Sequence, residues 1–486
     1  ACELMDHYIL EATKRNPMYN ALRFFVEGDP QAILVAELNG ETPEEADRKV
    51  DALITELKNA KRGYAFPVIQ GEQIKQVWSL RKAGLGLLSN VPGDAKAAPV
   101  IEDTAVDVKD LPQYIADFNE ILAKHGLYSV HYAHAGSGEL HLRPILDLKT
   151  SEGQRLFRVI AEEIATLVKK YKGSLSGEHG DGRLRAEFIP QMLGEHNYKL
   201  CQEVKKLWDP YNIFNPNKIV DAPPMDTSLR YSKDQETKDF DTAFDFSETL
   251  GILRAAENCN GSGDCRKSEL SGGTMCPSFM ATRDEKDTTR ARANILREIL
   301  THSIEENPFA NEEIKEVMDL CLSCKGCSSE CPSNVDMAKL KAEWQHQYYK
   351  EKGIPWRTKQ IAAFSQNMKL ASLAPWAYNF AFSNPITSKL MKGAVGFAQE
   401  RSVPPIAKER FHKWLQKFTP TFSDQKVYIF CDEFTNFNDA EIGKTAVRLL
   451  DKLGFEVIYV VHEDSGRPQL SKGLLDQAKQ LAEANV

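Results

Sequence analysis

The stretch Cys321-Leu-Ser-Cys324-Lys-Gly-Cys327-Ser-Ser-Glu-Cys331-Pro332 constrains this chain more than any other. It reads C-x2-C-x2-C-x3-C-P, a spacing that holds cubane iron–sulfur clusters and so implies one-electron transfer. In two-cluster arrangements the thiolates spaced by two residues serve one cluster. The fourth, turned away before the Pro, serves a second cluster held by a partner motif. Upstream stands Cys259-Asn-Gly-Ser262-Gly-Asp-Cys265, then ten residues, then Cys276-Pro277. This is the same frame with Ser262 at the middle position and an insertion before the last Cys. With the ligands exchanged in this way, Cys276 joins Cys321, Cys324 and Cys327 around one [4Fe–4S] cluster. Cys259, Cys265 and Cys331 are left for a second site that is one ligand short. That site is open to a non-Cys ligand, a three-iron cluster or no cluster, and structural zinc is the alternative for any set of four cysteines.

The amino end has no pattern of a signal peptide, so a reducing, cytoplasmic compartment is the default, where thiols serve as metal ligands more often than as disulfides. The 486 residues, 42% of them apolar, with a net charge of −8, describe ordinary protein with no nucleic-acid footprint. That length predicts about two to four domains. No run approaches the roughly eighteen apolar residues of a transmembrane helix, whereas a peripheral place at the inner membrane stays open. The opening Ala1-Cys2-Glu3-Leu4-Met5-Asp6 reads as an internal start, so the chain is expected to begin inside a longer protein.

From residue 21 the pattern predicts α+β structure. Ala21–Glu27 and Gln31–Leu38 read as strands joined by a turn at Gly28-Asp29-Pro30, Thr42 caps a helix over Pro43–Ala60, and Tyr64–Ile69 reads as another strand. Gln73–Leu88 reads as a helix carrying Trp78 and Arg81, followed by a loop with Lys96. Beyond it, His131-Tyr-Ala-His134-Ala-Gly136-Ser-Gly138-Glu-Leu-His141-Leu-Arg143 is dense in His and Gly. Gly136 and Gly138 allow positive φ, so the chain can turn and bring His134 and His141 toward one point. A helix over Ser151–Tyr171 then leads into Gly173-Ser-Leu-Ser-Gly177-Glu178-His179-Gly180, which offers a carboxylate beside another imidazole. Two His and one Glu form the ligand set of a catalytic zinc-type site with an open position. Gly-rich turns whose histidines bond backbone carbonyls are the other reading.

Four ordered motifs carry a resemblance. They are Trp78-x2-Arg81 with Lys96 and Glu102-Asp-Thr-Ala-Val106; His134-Ala-Gly-x-Gly-x-Leu-His141; Ser176-Gly-Glu178-His179-Gly180; and Asp209-Pro-x-Asn-Ile-Phe-Asn215-Pro-Asn-Lys218. On these, residues 1–220 resemble the C-terminal, substrate-binding half of flavin-linked oxidases related to vanillyl-alcohol oxidase, the group of D-lactate, glycolate and D-2-hydroxyglutarate dehydrogenases. The resemblance implies a divalent metal, zinc as first choice, on His134, His141 and Glu178, with His179 as catalytic base beside FAD. It also implies substrate carboxylates on Arg81 and Lys96, and a flavin wall at Asn215 and Lys218. Two departures stand out. Ser137-Gly138-Glu139 replaces the commoner Asp-Gly-Asn, and Arg143 stands where Asn often occurs. Arg143 is either a second anchor, for a dicarboxylic 2-hydroxy acid, or a solvent-facing side chain. The chain is expected to lack the N-terminal FAD-binding domain and most of a C-terminal Cys-rich domain.

Asp221–Glu248 is polar and reads as a linker. Thr282–His302 is basic and helical, with Arg283, Arg290, Arg292 and Arg297, and a solvated helix face is its default reading. Met275-Cys276-Pro-Ser with Arg290-Ala-Arg-Ala-Asn-Ile-Leu-Arg297 resembles the iron–sulfur half of fused flavin/iron–sulfur D-2-hydroxyacid dehydrogenases. Residues 362–399 are aromatic-rich with only Lys369, Lys389 and Lys392 charged, and packed helix is preferred over a docking surface. From Lys426 a strand–helix–strand–helix pattern opens an α/β unit in which Cys431 reads as a buried thiol.

The expected architecture is α+β: a ferredoxin-like α+β substrate (cap) domain over 1–220, a linker over 221–248, a mostly α-helical iron–sulfur domain over 249–420, and the start of an α/β domain over 421–486. The expected function is FAD-dependent oxidation of a D-2-hydroxy acid, with electrons passed to [4Fe–4S] clusters and then to a quinone or carrier protein. A homo-oligomer is compatible with this reading. The alternative is a non-catalytic iron–sulfur subunit that partners a separate flavoprotein.

Overall fold

Strand alternation organises the amino-terminal region, because side chains two apart share a face of the sheet. The strands are β1 (Cys2–Asp6), β2 (Ala32–Ala36), β3 (Lys96–Ala97), β4 (Ile101–Ala105), β5 (Ser129–His134) and β6 (Glu139–Leu146). They run antiparallel in the order β2-β1-β5-β6-β3, and β4 also pairs with β6. This computed structural model describes residues 1–15 and 17–486, and the side chains of all of these except Arg15, Pro17, Met18, Leu85 and Ser89. The chain forms two units, one of residues 1–240, 246–301 and 325–336, the other of residues 241–245, 302–324 and 337–486.

In the first unit, Leu4, Ala133, Leu140 and Leu142 enter a core with Tyr114 and Phe118 of the Leu111–Lys124 helix and with Ile160, Ile164 and Val168 of the Ser151–Lys170 helix. The second helix follows from its sequence. Thr150 caps it by accepting the Gly153 N–H, and its buried positions recur at three- and four-residue spacing. Each fully buried Ile or Phe there stabilises by about 1.5–3 kcal/mol, and Phe157→Ala would cost about 3–5 kcal/mol. With one face of the sheet covered by helices, Glu139, His141 and Arg143 of β6 are gathered on the other.

Two expected strands are absent. Ala21–Phe25 is a 3-10 helix, because Leu22, Phe25 and Val26 turn together onto Val77 and Leu80 of the Gln73–Leu87 helix. Tyr64–Ile69 runs unpaired, with Tyr64 and Val68 exposed. The Gly28-Asp29-Pro30 turn therefore joins no hairpin, and β2 pairs instead with β1, whose five residues were not legible as a strand. The helix over Pro43–Asn59 does form, capped by Thr42. The polar stretch 221–240 has neither helix nor strand but is strapped to the sheet domain. Asp226 bonds Arg158, Met225 N–H donates to Glu187, Asp234 accepts from the Ser151 N–H, and Gln235 N–H donates to the Lys149 carbonyl.

In the second unit the Met337–Lys352 helix is central. Its fully buried Glu343 accepts the N–H groups of Ala243 and Phe244. The strands β7 (Lys426–Ile429) and β8 (Glu456–Tyr459) are parallel, with the Ala440–Lys452 helix between them in sequence, as the strand–helix–strand pattern predicts. Cys431 lies buried in their core with Phe411 and Val447. Residues 362–399 overturn the preference for packing. They form helices over Phe364–Ala371, Pro375–Ser383 and Pro385–Val395 that leave Leu370, Leu373, Trp376, Phe380, Ile386 and Leu390 exposed. Among the described residues no helix is long and apolar enough to cross a membrane.

Candidate metal centre and cysteine ligand sets

Register places the site. Tyr132 lies opposite His141, His134 opposite Glu139, and Glu102 opposite His141 on the other edge of β6. Alternation puts Glu139, His141 and Arg143 on one face, whereas His131 points the other way, toward Phe118 and Asp6. Glu178, from the loop after the Ser151–Lys170 helix, reaches this face, where its Oε1 lies 3.6 Å from His134 Nε2, 3.5 Å from His141 Nε2 and 3.1 Å from His179 Nε2. His134, Glu139, His141 and Glu178 each offer a ligand atom, all within 4.8 Å of one another. The turn that permits this needs only one left-handed glycine. Gly138 has φ +79°, and a Cβ there would meet the Val106 carbonyl at 2.0 Å. Gly136, expected to share that role, has no positive φ; it lies close to Cys2, where a Cβ would meet the Cys2 Cβ at 3.1 Å.

The electrostatics fit a cation. Burial, and then the nearby Glu178 and Asp103 charges, push the Glu139 carboxyl up to about 8. Burial, and then His134 and His179, lower His141 to about 3, so its imidazole is neutral and its lone pair available. Both Glu139 carboxylate oxygens and His141 Nδ1 are buried without a hydrogen-bond partner, although Glu139 Oε1 stands 3.2 Å from that nitrogen. Imidazole nitrogens and a carboxylate converging beside orphaned buried oxygens suit a divalent metal.

A residue the sequence did not single out holds the second loop. Asp103 is fully buried with φ +86°, at the point where the β4–β6 register slips between Glu102 and Thr104. A bulge of this kind re-aims a side chain. Here the Asp103 carboxylate accepts the N–H groups of Glu178 at 2.7 Å and His179 at 3.0 Å and the Ser176 hydroxyl at 2.6 Å. Its carbonyl accepts the Gly177 N–H at 2.7 Å. Arg185 closes the assembly, donating to the Glu102 and Gly180 carbonyls and lying 3.4 Å from Asp103 Oδ2. Glu102-Asp103 belongs to a quoted motif, but the sequence carries no sign of the bulge.

The expected carboxylate anchors part company. Arg81 is buried, not solvated. Its Nη2 lies 2.8 Å from Glu3, which also bonds His134 Nδ1 at 2.8 Å, and its guanidinium stacks 3.3 Å from the Tyr132 ring centroid. Arg143 is likewise no solvent-facing side chain, since it pairs with buried Glu102 at 2.5 Å. Lys96 sits elsewhere. It donates to the Val91 carbonyl, and burial lowers it to about 8 among Glu257, Asp94, Lys149 and Arg230 rather than among the imidazoles. Asn215 and Lys218 lie on an exposed loop with exposed Tyr211, Ile213 and Phe214, and this loop joins the site loop through Ile219 N–H to the Gly182 carbonyl at 2.9 Å.

All ten cysteines are free thiols. In the first unit, burial and then the proximity of Cys259 and Cys265 push Cys331 up to about 11, while Ser333 and Val335 direct backbone N–H groups at its sulfur. Cys265 is raised by burial and by Cys259 and Cys276. Thiols that hinder one another's ionisation, with N–H donors aimed at sulfur, fit a cationic iron–sulfur cluster that would relieve them. Ser262, at the vacant position, donates its hydroxyl to Asp264 at 2.8 Å. Pro332 packs against the Gln73–Leu87 helix. A Cβ on Gly86 would meet its Cβ at 2.3 Å, and Asn90 donates to its carbonyl at 3.2 Å. Cys321 and Cys324 belong to the second unit, where Lys341 donates to the Cys321 carbonyl at 2.6 Å.

Comparison with known proteins agrees with both halves. Residues 1–219 match the family described as FAD linked oxidases, C-terminal domain, and residues 258–336 match the 4Fe-4S dicluster domain. A D-2-hydroxyglutarate dehydrogenase of Escherichia coli (strain K12) is 27% identical over 98% of this chain and 52% of its own length. A namesake from Pseudomonas putida is 28% identical over 97% and 52%. A D-lactate dehydrogenase of Archaeoglobus fulgidus is 30% identical over 24% of this chain and 26% of its own. The chain thus spans about half the length of the curated dehydrogenases it matches along its whole extent. It joins a stretch similar to the C-terminal domain of FAD linked oxidases to one similar to a 4Fe-4S dicluster domain.

Proposed function

We propose that this chain is the substrate-binding and electron-relay part of an FAD-dependent dehydrogenase that oxidises a D-2-hydroxy acid to the 2-oxo acid, with electrons leaving through [4Fe–4S] clusters to a quinone or carrier protein. The observation that carries this reading is the convergence of the His134, His141 and His179 Nε2 atoms on one Glu178 oxygen, in a stretch that matches FAD linked oxidases. His134, His141 and Glu178 would hold a divalent metal, and zinc is the first choice because the role needs no redox change. When bound, the metal supplies Lewis acidity toward hydroxyl and carboxylate oxygens, FAD accepts hydride, and the clusters carry single electrons.

The chain's own residues bind, orient and move a proton. Arg81 offers a planar fork to a substrate carboxylate, which would compete with Glu3 for it. Arg143 lies two residues past His141 on the same face and offers a second cation, which favours a dicarboxylic acid of the 2-hydroxyglutarate type over lactate or glycolate. His179 Nε2 accepts the hydroxyl proton, and the backbone hold of Asp103 on both Glu178 and His179 fixes base and ligand together. Asn215 and Lys218 line the flavin side. The work is placed in the cytoplasm, at the inner membrane surface when the acceptor is a quinone.

The test uses the flavin-complete polypeptide with D-lactate, glycolate and D-2-hydroxyglutarate. His134→Ala should lose both metal and turnover, whereas His179→Ala should keep the metal and lose turnover. A His134→Ala protein with full metal content and near-normal kcat would sink the proposed site.

A further inference from the structure

The basic stretch that reads as a solvated helix face is not solvated where it matters. In the Thr289–His302 helix Arg292 is 0% exposed. Its Nη1 donates to the Asp287 carbonyl at 2.7 Å and the Ser278 hydroxyl at 3.1 Å and stands 3.4 Å from Cys276 Sγ, while Nη2 lies 3.4 Å from the buried Asp287 carboxylate. A buried guanidinium is costly, and an apolar side chain of similar volume would often fill such a place at no loss of stability. Its donor geometry toward sulfur gives it a use that packing does not.

The neighbours on the helix sharpen this. Residues 290 and 294 are four apart and share a face, and 292 lies on the opposite side, about 200° from 290. Asn294 Nδ2 stands 3.8 Å from Cys259 Sγ, and Arg290 donates to the Gly261 carbonyl at 3.2 Å while pairing with Glu285 at the surface. One helix therefore offers a buried cation to Cys276 and a neutral amide to Cys259, thiols assigned to different clusters. Hydrogen bonds to sulfur and local positive charge favour the reduced, more negative state of an iron–sulfur cluster.

We infer that Arg292 is a tuning residue that raises the reduction potential of the cluster Cys276 completes, and that Asn294 leaves the same cluster untouched. This rests on the reading of Cys276 as a ligand. EPR-monitored redox titration of the reconstituted full chain, with iron and sulfide analysis, tests both. Cys276→Ser identifies the signal concerned by abolishing it; full iron and an unchanged signal in that variant would remove the ligand and the inference with it. Arg292→Met should keep its iron and lower the midpoint of that signal, Arg292→Lys should lower it less, and Asn294→Leu should leave it in place. Arg292→Met with full iron and an unmoved midpoint would reduce Arg292 to a structural ion pair. Should that variant not fold, an unmoved midpoint in Arg292→Lys does the same.

Discussion

The His–Glu face and the cysteine loops are both rich in metal-binding side chains, but they are held in opposite ways. His134, Glu139 and His141 sit on paired strands, and Glu178 is fixed by a buried carboxylate that grips its backbone, so strand pairing and one backbone grip bring these donors together. The candidate cluster cysteines lie on loops and short helices, with Cys327 in a helix of five residues and Cys265 in a single 3-10 turn. Ser323 and Lys325, between Cys321 and Cys327, are left-handed, and Cys331 is a half-buried thiol pushed up to about 11. One site is organised by the fold. The other depends on the group it binds, because burying and deprotonating several thiols together is unfavourable until a metal compensates them.

Breaking the cysteine side should give the largest effect. Cys276→Ser should remove one cluster outright, read as lost iron, sulfide and EPR signal, while far-UV circular dichroism of the sheet domain stays the same. Asp103→Ala tests the other side. It removes the acceptor for Glu178 and His179 and leaves Arg185 buried without its carboxylate, so stability should fall by about 3–5 kcal/mol in urea unfolding. Metal affinity should drop about 10–100-fold by competition titration.

A smaller, pH-dependent effect comes from the Asp94 network. Burial alone would raise Asp94, but Arg254 and Lys149 outweigh it and hold it at about 2. A carboxylate depressed in the fold contributes stability that is present above its unfolded value, near 3.9, and lost as pH falls through about 2. Asp94→Asn should therefore cost about 2 kcal/mol at neutral pH and flatten the acid limb of stability between about pH 4 and 2, with no change in metal content. The smallest effect should be Ser176→Ala, which removes one hydroxyl donor to Asp103 and should cost about 1 kcal/mol, with metal retained. A large loss of metal in that variant would mean that the loop is less firmly held than the backbone bonds imply.

The residues that converge at the candidate metal centre were legible because their motif is local: His134, His141 and Glu178 announce themselves by density and by glycine. What holds them was not. Asp103 acts through a bulge created by pairing with a strand that begins 36 residues later, and Glu3 lies on a strand of only five residues, paired on both sides, that is too short to show a period. Arg292 reads as a surface charge because composition reports charge and not burial. The aromatic helices over 364–395 erred in the other direction, since apolar content predicts burial only when something packs on it. Likewise Ala21–Phe25 has strand-prone residues but helical spacing against its neighbour, and the packing decided.

The contact between Gly86 and Pro332 turns the Gln73–Leu87 helix into a ruler. Arg81 stands five residues before Gly86, about 7.5 Å along the axis, and Pro332 directly follows Cys331. One residue inserted between Arg81 and Gly86 would rotate the glycine by about 100° and replace it at the contact with a side chain the proline cannot admit. The span from the Arg81 guanidinium to Cys331 cannot lengthen, so the distance between a candidate substrate anchor and a candidate cluster ligand is written into the length of one helix.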